Sequence, residues 1–337
     1  MPPTLTVAIP TYNRNAILNV NLRPLLEQMA LPEFASKCRL LVIDNASPVP
    51  VQNTMQSLVE QFPTVRVDIE RNRLNVGANA NILRCFEHCE TEFMWLLGDD
   101  DAVEPDAIAT ILRHIEARPD CLYFNFLAGY DNLNERPQEI WTRGLKEFVE
   151  RVDSIANVLF ISSGVYRIPG VNTHLNMGYA YLHTQPNFIP LLTSLGDEGV
   201  CCLAREQIVT YHKPENSHQW SFLYYGLGIM TLLELQIPHN VRETLARKIL
   251  ASIPWHKMFA LQLMAQALRE NDPRGALYLY DQLCARLYYF ERTPARRAKI
   301  ALYRAMVRYP AKSREALTFF KRKKASDYAL PNSLERL

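Results

Sequence analysis

Leu5-Thr6-Val7-Ala8-Ile9-Pro10-Thr11-Tyr12-Asn13-Arg14 is an unbroken apolar, β-branched run that turns polar at Thr11. A run without polar alternation predicts a strand buried on both faces, the habit of parallel sheets covered by helices. The same form returns at 39–44, 65–70, 93–97 and 121–126, and helical-length stretches lie between at 15–29, 51–62, 77–89 and 105–118. Strand-helix alternation on this spacing predicts a doubly wound α/β unit with a mainly parallel sheet. Such sheets bind ligands outside the carboxyl ends of their strands.

Beyond residue 126 the pattern changes twice. From 127 to 222 it is irregular, with Gly, Pro and Asn scattered through it; strands are expected near 159–166 and 199–203 and a helix near 179–192. From 223 it reads as helical, at 242–253, 256–269, 275–287 and 294–309, with Pro273, Pro294 and Pro310 as punctuation. The expected organisation is a 1–222 domain, with halves 1–126 and 127–222, followed by a helical region 223–337.

Composition sets further bounds. With 48% hydrophobic and 21% charged residues the chain is ordinary globular material and not a disordered one. The opening residues show no signal peptide, and no window approaches the roughly 20 apolar residues of a membrane span. Seven cysteines with no C-x-x-C pair read as buried thiols in a reducing cytosol, and no Cys/His spacing resembles a structural zinc site. A cytoplasmic chain is expected, attached at most to the inner face of the plasma membrane. Charge is uneven: residues 286–324 carry 13 Lys/Arg against two Glu, on a chain whose net charge is only +2. That asymmetry predicts a separate task for the C-terminal end.

The predicted strand ends carry the chemistry. They are Pro10-Thr11-Tyr12-Asn13-Arg14, Asp44-Asn45-Ala46-Ser47, the turn Asn75-Val76-Gly77 with Asn79 and Asn81, and Gly98-Asp99-Asp100-Asp101. Taken singly, each also reads as a turn or a helix cap. Together, in order, they suit a nucleotide diphosphate. Asp44 is able to accept from the imide edge of a base. Thr11 and an acid of the triplet suit ribose hydroxyls. Three adjacent carboxylates repel one another unless a cation such as Mg2+ or Mn2+ turns that repulsion into coordination.

These residues resemble the family 2 glycosyltransferases of the GT-A nucleotide-sugar-binding fold. The matching pieces are Val7–Arg14, Val42–Ser47, Asn75-Val76-Gly77 with Asn81-Ile82-Leu83, and Trp95–Asp101 with Pro105. The likeness is specific over about residues 5–115 and absent from the C-terminal helices. It implies inverting transfer of a hexosyl or deoxyhexosyl group from a nucleotide diphosphate sugar, UDP- or dTDP-type favoured. The acceptor would be a saccharide or a lipid-linked molecule, in cell-surface polysaccharide or lipid-linked oligosaccharide synthesis. It further implies donor binding by Pro10, Thr11, Asn13, Arg14, Asp44, Asn75, Gly77, Asn81 and Asp99, and Mn2+ or Mg2+ on Asp100 and Asp101, Asp100 foremost. Gly98 stands where the family's first metal-site acid usually falls.

The family usually draws its catalytic base from a Glu-Asp pair beginning a helix, and no clear counterpart is present. Asp197-Glu198, between two glycines, reads as a surface turn. His183 has a suitable intrinsic pKa and is the candidate catalytic residue; His212 and His218 are secondary candidates for the diphosphate or metal. Ser162-Ser163-Gly164 reads as an acceptor-side strand end. A chain without its base would be a catalytically silent nucleotide-sugar-binding or assembly subunit, the second reading. A nucleotidyltransferase is disfavoured because residues 10–14 contain no glycine.

In the last helix, Ala298, Ala301, Leu302, Ala305 and Tyr309 share one face, with Arg297, Arg304 and Arg308 largely elsewhere and Lys321-Arg322-Lys323-Lys324 following. This suits docking on an anionic membrane surface; the other reading is a solvated basic face packed on the catalytic domain. No nucleic-acid-reading module is recognisable.

Overall fold

The five apolar runs become strands because each has nowhere else to bury its side chains. The computed structural model describes residues 4–129, 135–182, 185–211, 228–252, 255–287, 289 and 293–315. Its first part runs β1 (Leu5–Thr11), α1 (Asn15–Met29), α2 (Pro32–Ala35), β2 (Cys38–Asp44), α3 (Val51–Val59), β3 (Arg66–Arg71), α4 (Ala78–His88) and β4 (Phe93–Leu96). It continues with β5 (Ala102–Val103), α5 (Ala107–Ala117), β6 (Tyr123–Leu127), β7 (Ile140–Arg143), α6 (Gly144–Arg151), α7 (Ile155–Leu159) and β8 (Gly164–Arg167). Last come α8 (Ile168–Val171), α9 (Leu175–Ala180), α10 (Phe188–Leu195), β9 (Val200–Gln207) and β10 (Val209–Thr210).

Eight strands form one sheet in the order β3-β2-β1-β4-β8-β6-β9-β7. The four N-terminal strands are parallel, and β8 lies antiparallel between β4 and β6. Leu5, Val7, Ala8, Leu40, Val42, Phe93 and Trp95 are fully buried, as continuous apolar runs require; burying one such side chain stabilises by about 1.5–3 kcal/mol. Edge strand β3 is polar instead (Arg66, Asp68, Glu70, Arg71) and partly exposed, which discourages pairing with another chain.

Register decides where the site can be. β1 pairs with β2 from Leu5↔Cys38 to Thr11↔Asp44, and with β4 from Leu5↔Phe93 to Ala8↔Leu96. Thr11, Asp44 and residues 98–101 therefore emerge at one edge. Because β8 runs the other way, its start, just after Ser162-Ser163, meets that same edge. β9 is parallel to β6, so its start lies at the opposite edge, and with it Asp197-Glu198.

Two expectations change. A short helix (α7) and a 3-10 turn (Ile161–Ser163) occupy most of the strand expected at 159–166, leaving only Gly164–Arg167 in the sheet. The helix expected at 179–192 is two helices, α9 and α10. Strand β7 and helix α6 have no counterpart in the sequence reading; β7 is a four-residue edge strand, too short to show periodicity.

The described residues form two compact units, one up to residue 211 and one from 228. The second holds α11 (His239–Ser252), α12 (Trp255–Glu270), α13 (Pro273–Leu287) and α14 (Pro294–Arg308). Its core includes Leu245, Phe259, Leu263, Tyr280, Leu283 and Val307. Arg304 makes a two-pronged ion pair with Asp281, both bonds 2.7 Å, joining α14 to α13. Helix α14 turns Val307 inward, while Ala298, Ala301, Leu302, Ala305 and Tyr309 stay exposed.

Candidate functional site

The acidic triplet leaves β4 as a turn held from several sides. Thr11 Oγ1, at the end of β1, donates to Asp99 Oδ2 at 2.6 Å. Arg14 Nη1 donates to Asp99 Oδ1 at 3.0 Å and to Asp100 Oδ2 at 2.7 Å. Helix α1 adds Asn21, whose amide reaches the Asp99 carbonyl at 3.1 Å. Asp101 turns inward, where its Oδ2 accepts from Ser162 Oγ at 2.5 Å, and the Gly98 amide donates to that same Ser162 oxygen at 2.8 Å. Downstream, β5 pairs with β10, and Glu104 accepts from Gln207 and Thr210.

The three acids thus have different surroundings. Asp99 and Asp101 are buried, while the Asp100 side chain is 29% exposed. Burial pushes the Asp99 carboxyl above its usual range; Thr11 and Arg14 pull against this, and the charge of Asp100 adds to it. Arg14 in turn is held charged by the two carboxylates, which outweigh its own burial. Both Asp99 oxygens are engaged within the protein, whereas Asp100 has one oxygen on Arg14 and faces solvent. A hard carboxylate in that position fits a divalent cation approached from the open side.

The second strand end is a loop organised on two side chains. Asp44, 1% exposed, accepts from the Ser47 amide at 2.9 Å, the Val51 amide at 3.3 Å and the Arg71 guanidinium. Burial alone would raise its pKa, but the Ser47, Val51 and Arg71 bonds outweigh it and hold the carboxyl below the usual range. Asn45 Oδ1 accepts from Asn72 Nδ2 and the Val76 amide, both at 3.0 Å, and Asn45 Nδ2 donates to Asn75 Oδ1 at 2.9 Å. Asn81 closes the set, accepting from Asn72 at 2.7 Å and donating to the Ile43 carbonyl at 3.0 Å. Positive φ values at Asn13 (54°), Ala46 (62°) and Gly77 (85°) follow β1, β2 and β3 in turn. Left-handed backbone at the non-glycine residues Asn13 and Ala46 is stored strain of the kind found at binding sites, whereas Gly77 adopts its positive φ freely.

The structure therefore brings Pro10, Thr11, Asn13, Arg14, Asp44, Asn75, Gly77, Asn81, Asp99, Asp100 and Asp101 to one edge of the sheet. It turns Asp101 toward Ser162, and it meets the hydrogen bonds of Asp44 largely from within the protein. Asp197 and Glu198 are exposed at the other edge, where Arg143 pairs with Glu198 at 2.6 Å. His183, His212 and His218 lie outside the described residues. Sequence reasoning missed Asn21, Asn45 as a loop organiser, Arg71 and Tyr211. Tyr211 packs on Phe160, with ring centroids 5.5 Å apart; burial raises its pKa, and the charges of Asp101 and Asp100 add to the rise. Only Asn45 gave a signal, as an Asx residue directly after a strand.

A family model described as glycosyl transferase family 2 matches residues 6–168. Over that segment, a little under half of its length, the chain is similar to glycosyltransferase family 2. Abequosyltransferase RfbV of Salmonella typhimurium is 25% identical over 118 residues, 34% of either chain. An uncharacterized glycosyltransferase of Haemophilus influenzae is 24% identical over 200 residues, 55% of this chain and 64% of that one. The chain thus spans about a third and just under two thirds of the length of these curated relatives. Among solved structures, S. aureus TarS 1-349 in complex with UDP-GlcNAc gives a TM-score of 0.63 at 14% identity, covering 97% of this chain and 94% of that one. Mannosyltransferase PcManGT from Pyrobaculum calidifontis, in complex with GDP-Man and Mn2+, gives 0.54 at 14% identity, covering 92% and 86%. These two likenesses bear on the fold, the GT-A arrangement of a mostly parallel sheet between helices.

Proposed function

We propose that the chain is a metal-dependent inverting glycosyltransferase. It moves a hexosyl or deoxyhexosyl group from a nucleotide diphosphate donor to an acceptor hydroxyl, in the making of a cell-surface polysaccharide or lipid-linked oligosaccharide. One observation carries this reading: Thr11 at the end of β1 and Arg14 just before α1 are bonded to Asp99 and Asp100 beyond β4, with the Asp44 loop alongside. Relatives with donor nucleotides in their names support it, UDP-GlcNAc for TarS and GDP-Man for PcManGT. The 1–222 region is the catalytic part in this reading and 223–337 an accessory part.

The roles follow from the surroundings. Thr11, Asn13, Asp44, Asn75, Gly77 and Asn81 shape the nucleoside side, with Asp99 set by Thr11 to meet a ribose hydroxyl. Asp100 is the principal residue to hold Mn2+ or Mg2+, Asp101 supporting it from the Ser162 side. When bound, the cation stabilises the charge growing on the departing diphosphate. Arg14 adds a fixed positive charge beside the same phosphates. Inversion needs a base opposite the leaving group to take the acceptor proton, and His183 is the residue proposed for it.

A lipid-linked acceptor places the enzyme at the inner face of the plasma membrane. The exposed stripe Ala298, Ala301, Leu302, Ala305 and Tyr309 supports that placement, since Arg297, Arg308 and Lys312 flank it and residues 293–314 contain no acid. No described helix is long and apolar enough to cross a membrane.

The test is to incubate the protein with a panel of nucleotide sugars and Mn2+ or Mg2+ and follow nucleotide diphosphate release. Metal-dependent turnover that Asp100→Ala abolishes is the expected result. Tight donor binding with no release, even with extracted lipid acceptors present, would overturn it in favour of a silent subunit.

A further inference from the structure

Four side chains from three separate stretches of sequence meet between α5 and β9, and the transferase reading uses none of them. They are His114 on α5, Glu139 just before β7, and Cys202 and Glu206 on β9. His114 Nε2 lies 3.1 Å from Glu206 Oε2 and 3.7 Å from Glu139 Oε1. One ligand atom each from His114, Glu139 and Cys202 fall within 4.8 Å of one another. A tetrahedral zinc ion, with bonds of about 2.0–2.3 Å, sets its donors roughly 3.3–3.8 Å apart. Those three donors need only a small contraction to reach that spacing, and Glu206 Oε2, beside His114 Nε2, is the fourth.

The carboxylates are oriented as metal ligands usually are, each by an outer partner on its other oxygen. Arg113 donates to Glu206 Oε1 at 2.9 Å, leaving Oε2 turned to His114. The Trp141 indole N–H donates to Glu139 Oε2 at 3.2 Å, leaving Oε1 turned to His114. The imidazole plane is set by edge-on contacts with Phe124 and Phe126, whose ring centroids lie 5.8 and 5.1 Å away. His114 is 6% exposed and Cys202 fully buried, so the nitrogen and sulfur donors are dry.

We propose that His114, Glu139, Cys202 and Glu206 form a structural site for a zinc-type divalent cation, pinning α5 and the segment before β7 onto β9. The donor chemistry separates it from the acidic triplet: nitrogen, sulfur and oxygen together select a borderline-soft ion, whereas the triplet offers only hard oxygen. Charge also fits. A thiolate and two carboxylates carry −3, which a divalent ion and Arg113 together neutralise. On binding, the Cys202 thiol gives up its proton to solvent and the sulfur takes the metal.

The competing account is an imidazole of His114 simply hydrogen-bonded between two carboxylates, which binds no metal. The full chain, stripped with a chelator, is titrated with Zn2+ and separately with Co2+. The expected result is one Zn2+ per chain with a melting temperature raised by several degrees. Co2+ should give a thiolate-to-cobalt charge-transfer band that Cys202→Ala loses and that Asp100→Ala and Cys284→Ala keep. Should Cys202→Ala fail to fold, Glu139→Gln, at the half-buried rim, is expected to weaken Zn2+ at least about tenfold. No stoichiometric Zn2+, or a cobalt band unchanged in Cys202→Ala, overturns the proposal, as does unchanged affinity in Glu139→Gln.

Discussion

A β-carbon added to Gly98 would stand 2.6 Å from Asp101 Oδ2 and 3.2 Å from Ser162 Oγ. The bare backbone at 98 is what lets the Asp101 carboxylate fold back under its own turn and reach Ser162. This accounts for glycine where the family usually has an acid. Gly98→Ala is expected to cost about 1–3 kcal/mol through overpacking and to lower turnover, read by thermal melting and nucleotide diphosphate release. Gly98→Asp should be worse, since it adds a fourth carboxylate to Asp99, Asp100 and Asp101. Wild-type turnover in Gly98→Asp would mean that the turn is not set by this contact.

Arg14 is the one cation bonded to both Asp99 and Asp100 among the described residues. Arg14→Ala leaves the buried Asp99 with Thr11 and Asn21 as its neighbours and without a counter-charge. The expected outcome is a donor KM at least about tenfold higher, worth about 1.4 kcal/mol or more, with Arg14→Lys intermediate because lysine keeps the charge but not the planar guanidinium that sets Nη1 between both carboxylates. Steady-state kinetics with the best donor decides it; an unchanged KM for Arg14→Ala would remove Arg14 from the donor site.

How much of this was legible in sequence follows from range. The parallel half was readable because Leu5–Ile9 and Phe93–Leu97 are buried on both faces and so carry no polar interruption. Thr11, Asp44 and Asp100 were readable because they sit directly at strand ends, where position along the chain implies position in space. The bond between Ser162 and Asp101 was not, because a strand reversed between β4 and β6 brings together residues 61 apart. Arg136 escaped for the same reason: buried where the β6–β9 register shifts, it donates to the Asn125 and Ala204 carbonyls at 2.8 and 2.6 Å. Nothing in its neighbours marks it as interior. On α14 the apolar stripe was legible, but which face packs inward depended on α13 and could not be read locally.

Asn45 joins the loops after β2 and β3 through three side-chain bonds, so its loss should loosen both. Asn45→Ala leaves the Val76 amide and the Asn72 side chain without this acceptor, at about 1–3 kcal/mol when such groups are buried. Urea denaturation should register that loss. Donor affinity should fall alongside it, while Asn45→Asp, which keeps the acceptor but not the donor to Asn75, should recover part of both. Equal stability in Asn45→Ala and wild type would show that the loops hold one another by other means.

Asp44 and Asp99 predict opposite responses to acid. The Asp44 carboxyl is held below its ordinary value, so its ionised form adds stability that is complete above the unfolded value of about 4. That stability is lost as pH falls through the lower, folded value. The Asp99 carboxyl is raised by burial, so the folded chain holds that proton more firmly, and its contribution declines as pH rises from about 4 through the raised value. Denaturant midpoints for wild type, Asp44→Asn and Asp99→Asn across acid and neutral pH separate the two. The wild-type advantage over Asp44→Asn should be constant near neutrality and shrink in acid. Stability relative to Asp99→Asn should instead improve as the solution is acidified. A wild-type advantage over Asp44→Asn that grows in acid would mean that Ser47, Val51 and Arg71 do not outweigh the burial of that carboxylate.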